Sequence, residues 1–132
     1  MTLEHINPQG MHLNPAFSQG IIVPASARIL HVGGQNAVGA DGEVVGKGDI
    51  GKQTEQALAN MLKVIEAAGC ELENLFKVTL VIQQGVDLRP GFAAWMKVWG
   101  QRANPPVVTA LMVAGLAHPD FLIEIEAQVL LP

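Results

Sequence analysis

Apolar positions along this chain recur first at helical and then at strand spacing, and the changes of period divide the sequence. Leu58, Met61, Leu62 and Ile65 fall at i, i+3, i+4 and i+7, with Lys63 and Glu66 elsewhere on the circumference, which predicts an amphipathic helix. Asp49 can cap its first backbone N–H groups and Gly69 can take the left-handed conformation that ends it, so the helix should run over about residues 50 to 68. Leu75 to Gln84 contains Val78, Thr79, Leu80, Val81 and Ile82, too β-branched and too short for a helix, and reads as a buried strand. Phe92, Trp95, Met96 and Trp99 mark one face of a second helix over about 90 to 101, with Pro90 in its first turn. Asn104-Pro105-Pro106 then breaks the chain. Val107 to Ala114 is apolar on both alternating faces apart from Thr109, which predicts a strand covered on both sides. Phe121 to Leu131 alternates more cleanly. Phe121, Ile123, Ile125, Ala127 and Val129 share one face, and Leu122, Glu124, Glu126, Gln128 and Leu130 share the other.

The N-terminal third is less regular. Asn7-Pro8-Gln9-Gly10 and Asn14-Pro15 predict an irregular arm over residues 1 to 15. Gly20 to Val23 and Arg28 to Val32 read as two strands, for which a hairpin through Pro24-Ala25-Ser26-Ala27 is the simplest solution. A turn at Ala40 to Glu43 precedes a short Glu43-Val44-Val45 segment. The order β-β-(β)-α-β-α-β-β predicts one α+β domain over residues 1 to 132, a single mixed β-sheet with both helices on one face. Two helices cannot cover both faces of strands that read as buried on both, so a second copy of the chain is the simplest cover. No internal repeat, low-complexity segment or linker interrupts the pattern.

Composition sharpens this picture. Charged residues make up 15% of the chain, against roughly 25% in an average globular domain, so part of the surface should be covered by a partner. A net charge of -4 and three scattered arginines, Arg28, Arg89 and Arg102, lack the electrostatic footprint of a nucleic-acid binder. Cys70 is the only cysteine, which rules out a disulfide framework or a cysteine metal cluster within one chain and makes a reducing cytoplasm the natural setting. No uninterrupted apolar stretch reaches the roughly eighteen residues of a membrane span, so neither a membrane nor a nucleic acid is the expected partner.

Several residue groups invite a chemical reading. Gly46-Lys-Gly48-Asp-Ile-Gly51 matches a dinucleotide fingerprint, but Asp49 would set a negative charge where the pyrophosphate belongs, so a flexible loop and helix start is favoured and no cofactor is expected. His5, His12, His31 and His118 lack the spacing of metal ligands, and no metal is expected. His118-Pro119-Asp120 reads as a turn, and His31 as a core residue or part of a cleft wall, with the core favoured. Cys70 has no assignable partner for a nucleophile's role, and Trp95 and Trp99 lie on a helical stripe suited to core or subunit contacts. Glu124 and Glu126, two residues apart on one strand face, stand about 7 Å apart. Paired like charges at that range are one route to a general acid or base, and a solvated or ion-paired strand face is the other reading.

The segment Ala114-Gly-Leu-Ala-His-Pro-Asp-Phe-Leu-Ile-Glu-Ile-Glu-Ala127 resembles the C-terminal signature of the reactive-intermediate deaminase (Rid, YjgF-like, or L-PSP endoribonuclease) superfamily. Val64-Ile-Glu-Ala-Ala-Gly69 followed by Asn74-Leu-Phe-Lys-Val-Thr-Leu-Val81 resembles its central helix-strand unit, and Phe17-Ser-Gln-Gly20 and Gly33-Gly-Gln35 resemble its two N-terminal motifs. The likeness runs from about Asn14 to Leu131 and implies a chorismate-mutase-like fold, a homotrimer, and a small-molecule ligand in a cleft between each pair of subunits.

Deaminases of that family hydrolyse 2-imino acids to 2-oxo acids and ammonia. The resemblance assigns placement of the attacking water to Glu124, backbone contacts to Gly34 and a cleft-lining role to Phe17, where the family has tyrosine. Reading back from Ile-Glu-Ile-Glu-Ala, Val108 stands where the family's carboxylate-binding arginine belongs, and Ala110 where the best-known members carry cysteine. A charged hydrogen-bond pair contributes about 1.5 to 3 kcal/mol, and an apolar wall facing a carboxylate adds a desolvation cost. The expected cleft is therefore lined by Phe17, Gly34, Val108, Ala110 and Glu124, with Glu124 its catalytic candidate. It should prefer a neutral or cationic ligand to an imino acid. Any enzyme activity would be hydrolase- or deaminase-like. The alternative is a trimer that binds a ligand or partner without catalysis, and a third reading has Arg89 or Arg102 of a neighbouring subunit replace the lost arginine.

Overall fold

A computed structural model describes residues 2–132. Strand β1 spans Glu4–Ile6, β2 Gly20–Ile22 and β3 Ile29–Gln35; helix α1 spans Ile50–Ala67, β4 Leu75–Gln83, α2 Arg89–Trp99, β5 Val107–Val113 and β6 Ile123–Leu130. The main sheet has the order β3-β6-β4-β5, with β6 antiparallel to both β3 and β4. β4 and β5 run parallel, which requires a crossover, and α2 supplies it. Both helices pack on one face of this mixed sheet, as the pattern predicts.

Helix α1 begins and ends where its punctuation dictates. Asp49 Oδ1 accepts from the Lys52 N–H at 3.0 Å. At the other end Gly69 adopts φ +75°, its N–H donates to the Glu66 carbonyl at 3.0 Å and the Cys70 N–H to that of Ile65 at 3.1 Å, a Schellman closure. Leu58, Met61 and Ile65 are buried against β6 and β3, whose Ile123, Ile125, Ala127, Val129 and Val32 complete the core. In α2, Trp99 is fully buried and stacks on Trp95 with ring centroids 5.6 Å apart.

The N-terminal third departs from expectation. Gly20–Ile22 does not form a hairpin with the next strand; it pairs antiparallel with Glu4–Ile6, in a segment expected to be irregular, and the two make a separate ribbon. β3 pairs instead with β6. Alternation identifies a strand but not its partner, and β6 offers β3 a longer apolar row than β2 does. The Glu43–Val45 segment contributes only a single bridge, Val38 to Val44. β5, expected to be covered on both sides, is the edge of the sheet, with Leu111 and Met112 48% and 54% exposed.

Two side-chain amides of α1 lock the loops that flank the sheet. Gln53, fully buried on α1, donates to the carbonyls of Gly46 and Asp120 at 3.2 and 2.8 Å and accepts from the Leu122 N–H at 2.9 Å. Asn60, about two turns further along the helix, donates to the Asn36 and Val38 carbonyls. Asn60 fixes the exit from β3, which carries Gly34, and Gln53 the approach to β6, which carries Glu124.

Candidate functional site

Register decides which candidate residues can meet. Val108 lies beside Val78, and Val78 beside Ala127, while Ala110 lies beside Leu80 and Leu80 beside Ile125. Val108 and Ala110 therefore share the helix-covered face with the core residues of β6. Glu124, one residue out of step with Ile123 and Ile125, points to the open face beside Val81. Within one protomer the five expected residues thus form two groups separated by the sheet. Phe17, Val108 and Ala110 line a cavity on the helix side, and Gly34 and Glu124 touch on the other.

The Gly34–Glu124 contact is close. A Cβ at position 34 would stand 2.7 Å from Glu124 Cδ and 2.9 Å from its Cγ, so the absence of a side chain there lets the carboxylate lie against the β3 backbone. Glu124 is half-buried, and among the described residues no ion pair or side-chain hydrogen bond engages its carboxylate. Glu126 is exposed on the same face and borders, with His31, Lys77, Thr79 and Gln128, a shallow depression of about 170 Å³. His31, favoured for the core by the sequence reading, is exposed there; β3 turns its Val32 inward instead.

On the helix side, the cavity of about 300 Å³ lies between β4, β5 and the two helices. Phe17 reaches it because Ser18 is anchored twice: its N–H donates to the Pro106 carbonyl at 2.9 Å, and its hydroxyl donates to the Pro105 carbonyl. The hydroxyl oxygen also accepts from His5 Nδ1 at 2.9 Å, which ties the β1–β2 ribbon to the loop before β5. Burial lowers the His5 pKa, outweighing the hydrogen bond to the Pro105 backbone. Sequence reasoning missed this anchor and the Gln53 lock, because a lone Ser or Gln in a polar stretch carries no periodic signal.

The two arginines that could replace the missing one are engaged elsewhere. Arg102 pairs with Glu73 and donates to the Val98 and Trp99 carbonyls at the end of α2, holding the Glu73 carboxyl below the usual carboxylate range. Arg89 clamps Asp87 at 2.9 Å in an exposed pair, and that guanidinium lowers the Asp87 pKa in the same way. The Gly46–Gly51 segment is a loop and helix start, with Gly46 and Gly48 at positive φ. Among the described residues no group of three or more His, Cys, Asp or Glu side chains converges as a metal site would, and no helix is long and apolar enough to cross a membrane.

The family model for endoribonuclease L-PSP matches residues 11–131. A RutC family protein of Pyrococcus horikoshii is 35% identical over 112 residues, covering 84% of this chain and 83% of its own. The human 2-iminobutanoate/2-iminopropanoate deaminase is 28% identical over 111 residues, covering 84% of this chain and 77% of its own. Among solved structures, a Rid-family protein of unknown function from Yersinia pestis, YyfB, superposes with a TM-score of 0.86 at 32% identity, covering 99% of this chain and all of that one. The YjgF protein of E. coli superposes with a TM-score of 0.70 at 28% identity, covering 82% and 84% of the two chains.

Proposed function

The chain belongs to the endoribonuclease L-PSP family, the Rid or YjgF-like proteins, and on that premise we propose that it binds a small metabolite without a carboxylate anchor and hydrolyses it with Glu124 as the general acid or base. The site lies between subunits of a cytoplasmic homotrimer and needs no cofactor. The observation that carries the reading is the pairing of Glu124 with Gly34 on the sheet face opposite Phe17, Val108 and Ala110. A cleft containing all five forms only where the open face of one protomer meets the edge strand of another. The exposed Leu111 and Met112 on that edge supply apolar area for such a contact.

Some relatives deaminate 2-imino acids, as the human protein's name states. That reaction is not the one proposed for this chain. Val108 offers a substrate carboxylate no charge-assisted bond, and Arg102 is committed to Glu73 and the end of α2. An amino-acid oxidase coupled to 2-imino acid hydrolysis tests the exclusion, with no acceleration expected; turnover matching an arginine-containing relative would overturn it. For the catalytic part, Glu124→Gln should lower any hydrolysis detected by about 10² to 10⁴. A second reading, binding without catalysis, is favoured by the predominantly apolar helix-side cavity, which no ionisable side chain lines, and an unchanged Glu124→Gln protein would select it.

A further inference from the structure

The helix-side cavity extends well beyond the three candidate residues at its edge. Its walls are core residues: Leu58 and Ile125 are 1% and 0% exposed, and Thr54 is 3% exposed, while Phe92 at its mouth is 55% exposed. None of its lining residues is ionisable. The two polar side chains that reach it are already paired, Thr54 Oγ1 donating to the Ile50 carbonyl at 2.7 Å and Trp95 Nε1 to the Ala16 carbonyl at 3.3 Å. Gly91 on α2 keeps the helix close to α1, since a Cβ there would stand 3.1 Å from Thr54 Oγ1. The chamber thus presents mostly hydrocarbon and aromatic surface, and the polar atoms of Thr54 and Trp95 that reach it are already paired.

A charged group inside such walls would lose its hydration and gain no partner, whereas an uncharged apolar group would recover the dispersion contacts an empty cavity forfeits. An apolar cavity of about 150 Å³ admits benzene, so one of about 300 Å³ has room for two fused rings. We propose that this chamber is the specificity pocket of the protein and takes an uncharged aromatic or branched-aliphatic body of about that size, entering past Phe92 and Ala110. The proposal names the ligand class for the site described above; it rests on the ligand-binding part of that reading and is independent of Glu124.

Isothermal titration with 2-naphthol and 2-naphthoate, matched rings that differ in charge, tests it on the full chain at neutral pH. The expected result is saturable naphthol binding at one site per protomer and naphthoate binding at least tenfold weaker. Ala110→Trp, at the exposed mouth on the edge strand, should weaken naphthol at least tenfold, and Val108→Arg should reverse the preference toward naphthoate. Absence of saturable naphthol binding, or equal affinity for the two probes, overturns the proposal even if neither variant folds. Naphthol binding seen only on dilution to monomers would mean that a neighbouring subunit fills the chamber, and also overturns it. The two claims fail separately: hydrolysis that Glu124→Gln leaves unchanged removes the catalytic claim and leaves the naphthol result standing, whereas absent naphthol binding to the unaltered protein removes this proposal alone.

Discussion

The two faces of the main sheet carry the same strands and opposite chemistry. On the helix side, Ile123, Ile125, Ala127, Val129 and Val78 are all 4% exposed or less and meet the apolar stripe of α1. On the other side the same strands present Glu124, Glu126, Lys77, Thr79 and His31, with Gly33 and Gly34 beside them. The first face makes the fold, and the second brings the half-buried carboxylate to a surface where a partner can complete a site. The contrast also locates the apolar surface that the low charge content implies. Part of it lies at the β5 edge, with Leu111 and Met112 exposed on opposite sides of one strand.

The largest effects should separate the faces by stability. Ile125→Ala removes a side chain with no exposure at the centre of the core and should cost about 2 to 5 kcal/mol in urea denaturation. Leu111→Ala, 48% exposed on the open side of the edge strand, should cost less than half of that, with a penalty that shrinks on dilution as subunits separate. A Leu111→Ala penalty independent of protein concentration would break the assignment of the β5 edge to a subunit contact.

A smaller effect tests the open face as a site rather than as structure. Gly34→Ala should change stability by no more than about 1 kcal/mol, because the Glu124 side chain can swing away from the new methyl group. That swing is the point: a carboxylate moved by about 1 Å can lose on the order of 10²-fold in a reaction that depends on it. With ¹³C-labelled glutamate, the Glu124 carboxyl resonance should move in the variant while that of Glu126 stays in place. Unmoved resonances would show that Gly34 does not seat the carboxylate.

How far these two faces were legible in the sequence follows from period. The 3.6-residue stripe of α1, its Asp49 and Gly69 boundaries and the alternation of β6 were all readable, because each is a local signal with a local cause. The same alternation read Glu124 correctly as opposite to Ile123 and Ile125. Lost was the pairing of strands. No local feature announces that Gly20–Ile22 joins Glu4–Ile6, or that β5 ends the sheet, since both depend on which distant row offers the better apolar match. That loss hid the division of the candidate site. Val108 and Glu124 each sit on a readable strand, but only the β5-β4-β6 register shows that the sheet lies between them.

The smallest effect concerns the ribbon that brings Phe17 to the cavity. His5 donates to Ser18, and Ser18 to the Pro105 carbonyl, so the ribbon is held to the loop before β5 by a chain that runs through one imidazole. Burial holds the His5 pKa below its ordinary value, which means that the unfolded chain takes up a proton at a higher pH than the folded one does. Between the unfolded value, about 6.5, and the lower folded one, the unfolded state therefore binds more protons and stability rises with pH. Lowering the pH through that window should weaken the fold, and below the folded value the His5 contribution should change no further. His5→Asn removes the titration, so the difference in urea midpoint between wild type and variant should vary with pH inside the window and be constant above it. A difference that stays flat across the whole range would mean that the imidazole does not couple the ribbon to folding, and the position of Phe17 would then rest on the Ser18 bonds alone.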